Sequence, residues 1–158
     1  MKNKKLSVKE KKFILKEIKK YNNSDAAIIE SLKFVQRRLN WISSDIMLEI
    51  SKILLVPVSK IESIATFYSQ IFRRPVGKNI IRYCDGVVCY INGYKNIEKS
   101  LSNYLNICPG QTTKNNKFTL LPVCCLGNCD KSPTMMINEN LFSNINTKSA
   151  ISILENFK

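Results

Sequence analysis

Apolar residues recur at helical spacing through the first half of the chain and alternate as in strands through the second. Over residues 7–20 the pattern predicts a helix with Val8, Phe13, Ile14, Leu15 and Ile18 on one side and lysines on the other. The segment Tyr21-Asn22-Asn23-Ser24-Asp25 interrupts it. Ser24 or Asp25 is placed to cap a second helix reaching about Leu39, with Ile28, Leu32, Val35 and Leu39 on its apolar face. A third helix is expected from around Ser43–Asp45, turning Ile46, Ile50, Ile53 and Leu54 inward and stopping at Pro57. Ser59 and Glu62 have the spacing of a capping box and predict a fourth, short helix through about Gln70. No strand alternation precedes residue 76.

The pattern changes at Arg73-Arg74-Pro75-Val76-Gly77. This stretch reads as the boundary between a helical N-terminal domain, residues 1–74, and a second domain, residues 75–158. Beyond it the expected elements are a strand over 78–84, a loop over 85–88, and a helix over 89–105. A loop over 108–116 leads to a strand over 117–123, a loop over 124–133 and a strand over 134–138. A turn or fourth strand over 141–145 and a helix over 147–157 complete the chain. The order β-α-β-β-α predicts a small α/β sheet with a helix on each face. Trp41, Phe67 and Tyr68 read as packing residues between the helices and the second domain, and Met135 and Met136 as core.

A length of 158 residues suits one medium domain, or a small one behind a helical extension. No apolar run approaches the length of a membrane span, so none is expected. The charged N-terminus has no apolar stretch of signal type and no Arg within its first twenty residues, which points to a cytosolic location. Stable disulfides are then not expected. The net charge of +13 invites a nucleic-acid reading. However, it comes from 20 Lys and only 5 Arg, with no basic stripe interleaved with aromatics, so nucleic acid is not an expected partner. The lysine-rich N-terminal stretch reads as a solvated helix face. The chain has no His, which excludes Ser–His–Asp and Cys–His catalysis and a Rieske centre.

Six cysteines remain as candidate chemistry. Cys84 and Cys89 bracket a loop between a predicted strand and helix, and Cys125 and Cys129 a loop just after another strand. If both loops open at one sheet edge, four thiolates can converge on a metal centre. Gly86, Gly93 and Gly127 lie close by, where backbone can approach sulfur. Cys89 falls near the start of the predicted helix, an end that favours negative charge. Adjacent residues on an extended segment face opposite ways, so only one of Cys124 and Cys125 can face the centre. The tight turn through Leu126-Gly127 favours Cys125. Cys124 and Cys108 are then expected to be small buried apolar residues. Spacing alone leaves an iron–sulfur cluster, a Cys₄ zinc site and a purely structural role open. It is too wide for a thiol–disulfide enzyme.

At these residues the chain resembles the thioredoxin-like [2Fe–2S] ferredoxin subunits of NADH:quinone oxidoreductase, which is respiratory complex I. The stretch Val123-Cys124-Cys125-Leu126-Gly127-Asn128-Cys129-Asp130-Lys131-Ser132-Pro133 is similar to that family's C-L-G-x-C-x-x-A/S-P signature. Cys84 and Cys89 match its C-x4-C pair, with Gly93 following. Gln36-Arg37-Arg38 with Trp41, Ala65-Thr66-Phe67-Tyr68-Ser69, Pro75-Val76-Gly77 and Pro109-Gly110-Gln111 also match. The resemblance runs from about residue 26 to residue 140. It implies an N-terminal helical bundle followed by a thioredoxin-like [2Fe–2S] ferredoxin domain. It also implies one [2Fe–2S] cluster on Cys84, Cys89, Cys125 and Cys129. FMN and NADH would be bound by a partner subunit, beside further soluble-arm subunits. The implied role is one-electron transfer in an ion-translocating quinone reductase, peripheral on the cytoplasmic side of the inner membrane. An NAD-linked hydrogenase or formate dehydrogenase built on the same module stays open.

Overall fold

The computed structural model describes residues 5–157. The first four residues of the lysine-rich N-terminus, and Lys158, lie outside that range. The chain divides into two compact units between Pro75 and Val76.

The first unit is built from four helices, α1 (Val8–Tyr21), α2 (Ile28–Leu39), α3 (Ser44–Leu54) and α4 (Val58–Phe67). Ile14, Ile28, Leu32, Val35, Ile46, Ile50 and Ile61 close a single core between them. The capping box sits at the start of α1 rather than α4. Ser7 Oγ accepts the Glu10 N–H at 3.2 Å, and Glu10 Oε2 accepts the Ser7 N–H at 2.6 Å. This turns Glu10, Ile14 and Glu17 inward. Val8 and Leu15, expected inside, face solvent, Val8 being 72% exposed. Helical spacing shows which residues share a face but not which face turns inward. Here that is decided by Arg38 of α2, whose Nε and Nη2 reach Glu10 Oε1 and Oε2 at 2.8 and 2.7 Å.

Burial raises the proton affinity of Glu10, but hydrogen bonds from Arg38 and Ser7 outweigh it and hold the carboxyl below its ordinary 4.5. A folded-state value below the unfolded one means that ionised Glu10 stabilises the fold above pH 4.5, and that this contribution fades as pH falls through the folded value. Melting temperatures measured downward from pH 4.5 are expected to fall with acid, and less steeply in Glu10→Gln. An unchanged slope in the variant would remove Glu10 from the acid response.

Ser24 and Asp25 do not cap α2. Its first position follows Ala27, with no side-chain cap, because Ser24 to Ala27 form a turn closed by Ala27 N–H to Ser24 O and Ile28 N–H to Asp25 O. Asp25 pairs with Lys60 instead. α3 begins where expected, and Ser43 caps it. Ser59 and Glu62 form no capping box. Pro57 precedes α4, and Glu62 takes a forked pair from Arg73 at 3.1 and 2.9 Å. The helix ends at Phe67, short of Gln70, and Phe67 is 81% exposed with Tyr68 also exposed. Trp41 is half-buried.

The second unit holds a four-stranded sheet of order β2-β1-β3-β4, formed by β1 (Asn79–Cys84), β2 (Phe118–Val123), β3 (Met135–Ile137) and β4 (Asn140–Phe142). β1 and β2 run parallel, and β3 is antiparallel to both β1 and β4. The single helix expected over 89–105 is two, α5 (Val87–Ile91) and α6 (Tyr94–Leu105), broken at Gly93, where φ is 85°. That conformation costs a side chain about 1–2 kcal/mol but suits glycine. α7 (Thr147–Glu155) closes the chain behind an Asn146 cap.

The helices do not take one face each. Ile97 and Leu101 of α6 and Ala150 and Leu154 of α7 share one core with Ile81, Tyr83, Leu120, Met135 and Ile137. These strand residues stand on one sheet face by register, and Ile80, Arg82, Leu121 and Met136 stand partly exposed on the other. Met135 is therefore core and Met136 is not. α7 follows an antiparallel hairpin, whose handedness leaves either face open, so the side it takes depends on where the apolar surface lies. Among the described residues no helix is long and apolar enough to cross a membrane.

Candidate metal centre

Parallel pairing brings the two cysteine loops together. Cys84 ends β1 opposite Val123, which ends β2, so both chains leave the sheet at the same end. The Asp85 N–H then bonds Val123 O at 3.0 Å, and the Cys84 N–H bonds Thr134 O at 3.1 Å. The first loop turns at Gly86 into α5, which carries Cys89 in its only turn. A Cβ at Gly86 would lie 2.6 Å from the Cys124 carbonyl oxygen, so the loops approach to backbone contact there.

Cys84 and Cys89 are buried. Cys125 and Cys129 are exposed, their sulfurs 3.9 Å apart. Two thiolates at about 2.3 Å from one tetrahedral ion would stand roughly 3.8 Å apart, so this pair already has a ligand's spacing. The Gly127 N–H donates to Cys125 Sγ at 3.3 Å. Charge on one pair is felt at the other, Cys89 responding to Cys129 and Cys129 to Cys84. Among the described residues no three potential ligands converge as they would on a single ion. The donor set is two pairs. Four thiolates in two pairs suit a two-iron cluster or a Cys₄ zinc ion.

Burial pushes the Cys89 thiol up to about 11, aided by Cys84 and opposed by the Thr134 backbone amide. The Cys129 thiol is also raised, first by its hydrogen bond with Cys125. Cysteines that attack disulfides have lowered values. These two favour the proton unless a metal's charge reverses the balance.

Two expectations are corrected. Cys108 and Cys124 are exposed, not buried. Cys124 serves through its backbone, its carbonyl lying 4.0 Å from Cys84 Sγ. And α5 is a single turn, too short for the helix-end charge expected beside Cys89. Sequence reasoning also missed the polar ties between the loops. Asn92 Nδ2 donates to Ser132 Oγ, and Asn128 Nδ2 to Ser143 Oγ at 2.7 Å. Short polar residues in a loop give no pattern by which to single them out.

Fold and site together define a small thioredoxin-like α/β domain with two cysteine pairs at the end of its parallel strands, preceded by a helical unit. A model of the thioredoxin-like [2Fe-2S] ferredoxin family matches residues 14–158. The chain belongs to that family, whose domains carry an iron–sulfur cluster. It is 54% identical over 98% of its length to the E subunit of NADH-quinone oxidoreductase from Buchnera aphidicola subsp. Baizongia pistaciae (strain Bp), covering 90% of that protein. It is 49% identical over 97% of its length to the protein of the same name from Escherichia coli (strain K12), covering 92% of it. The crystal structure of an NAD+-reducing [NiFe]-hydrogenase in the air-oxidized state shares the fold, with a TM-score of 0.73 at 22% identity. That match covers 82% of this chain and 22% of the hydrogenase chain.

Proposed function

We propose that this chain is the electron-carrying ferredoxin subunit of an NADH:quinone oxidoreductase and holds one [2Fe–2S] cluster on Cys84, Cys89, Cys125 and Cys129. The observation that carries the reading is the pairing of four sulfurs, two buried and two exposed, at one end of the sheet. The near full-length relatives that bear that enzyme's name supply the assembly.

When bound, such a cluster takes up and releases one electron at a time. The chain's own contribution is to hold it. Cys84 and Cys89 donate from the buried side and Cys125 and Cys129 from the solvent side. The Gly127 N–H donates to a ligand sulfur, and such donors favour the reduced, more negative state. Residues 75–158 form the cluster-bearing domain and residues 1–74 a helical domain. NADH and FMN belong to a partner subunit that exchanges electrons with this cluster, and this chain has no G-x-G-x-x-G turn for a dinucleotide. With the other soluble-arm subunits it lies on the cytoplasmic side of the inner membrane.

The test is iron and acid-labile sulfide analysis of anaerobically purified chain, with paramagnetic resonance after dithionite reduction. Equal iron and sulfide, two of each per chain, with a one-spin signal on reduction, is the expected result. One zinc, no sulfide and no signal would replace the electron carrier by a structural site.

A further inference from the structure

Thr134 is 2% exposed and lies between the two cysteine pairs without belonging to either. Its backbone meets the first pair. The carbonyl accepts the Cys84 N–H at 3.1 Å. Its side chain meets the second loop. Oγ1 accepts from Asn128 Nδ2 at 3.3 Å and lies 3.4 and 3.3 Å from the carbonyls of Asn128 and Lys131, to which it donates. Asn128 immediately precedes Cys129, and Lys131 ends the short 3₁₀ turn that starts there. The far side of the loop is tied as well. Asn128 Nδ2 reaches Ser143 Oγ, and Lys131 O accepts the Asn144 N–H at 2.8 Å.

Each hydroxyl contact is long, and singly each contributes about 1 kcal/mol or less. Their arrangement matters more. One buried hydroxyl contacts an amide and a carbonyl of the loop carrying Cys129, while the same residue's backbone is fixed on Cys84. A valine would fill the same volume but remove the buried contacts to Asn128 and Lys131, whose groups keep only their other partners, the Lys131 and Asn144 N–H groups and Ser143 Oγ. The ties left to the loop are then Asn92 to Ser132 and those to Ser143 and Asn144, and Cys129 is held less closely relative to the first pair.

We propose that Thr134 is a positioning residue for the cluster. Its hydroxyl sets the distance of the Cys125–Cys129 loop from the Cys84–Cys89 pair. This rests on the four-cysteine cluster proposed above. Outer groups that orient metal ligands typically change metal affinity about 10- to 100-fold when removed.

The experiment compares wild type, Thr134→Val and Thr134→Ser as full chains, by iron and sulfide content, midpoint potential, resonance line shape and rate of iron loss to a chelator. Thr134→Val is expected to assemble the cluster, lose iron to chelator about tenfold faster or more, and show a lower midpoint and altered line shape. Thr134→Ser is expected to restore all three, which recovery of packing alone would not do. Thr134→Val with the wild-type rate, potential and line shape would overturn the proposal. If Thr134→Val does not fold, Asn128→Ala removes the amide partner from the loop side, and wild-type behaviour there would overturn it equally. Wild-type chain lacking iron and sulfide would instead overturn the cluster reading.

Discussion

Cys125→Ser is expected to lose the iron–sulfur chromophore and most of its iron and sulfide, whereas Cys124→Ser keeps both. The two residues are neighbours of the same type, so composition cannot separate them. Geometry does. Cys125 Sγ stands 3.9 Å from Cys129 Sγ and accepts the Gly127 N–H, as a ligand thiolate should. Cys124 is exposed and meets Cys84 through its carbonyl, which a serine retains. Serine at position 125 replaces a soft thiolate by a hard, weakly acidic hydroxyl, a poor iron ligand at neutral pH. Cys108→Ser should be as silent as Cys124→Ser. The measurement is visible absorption with iron and sulfide per chain after anaerobic purification. Loss in Cys124→Ser with retention in Cys125→Ser would move the ligand register by one residue.

Gly86→Ala is expected to be almost as damaging, although no ligand is touched. Gly86 has φ −62°, which any residue adopts, so backbone strain is not the reason. The added methyl would sit 2.6 Å from the Cys124 carbonyl oxygen and 3.5 Å from Cys84 Sγ. The first contact is with backbone immediately before Cys125, so relief requires the two cysteine loops to separate. Overpacking of this kind typically costs about 1–3 kcal/mol where a structure can yield. Here what yields is the spacing of the ligand pairs, so cluster content falls before the fold does. Gly110→Ala is the control. Gly110 has φ +86° with open space around it and lies outside both cysteine loops. It should cost about 1–2 kcal/mol of stability and leave the cluster intact. A Gly86→Ala chain with full iron and sulfide would show that the loops separate without loss of the centre.

Both predictions concern contacts between segments far apart in the chain, and here sequence and structure divide the work. Helical spacing was enough to find α2 and α3. The strands of the second unit were legible because Asn79–Cys84 and Phe118–Val123 are apolar runs bounded by turn residues. The cysteine pairs were legible for a different reason. Metal ligands must be close in space, and short loops make them close in sequence.

Tertiary structure decided what local spacing leaves free. It chose the buried face of α1, because Arg38, from another helix, draws Glu10 inward. It placed α6 and α7 on one side of the sheet, since the Ile81, Tyr83, Leu120 and Ile137 face offers both helices the same apolar surface. It exposed Cys108 and Cys124, whose residue type alone suggested burial. It also made Thr134 the joint between the loops, because parallel pairing of β1 with β2 and antiparallel pairing with β3 bring three distant segments to one end of the sheet. Periodicity records how a segment relates to its own neighbours in the chain. Which segments meet, and which polar group is then left needing a partner, is set only when the elements pack.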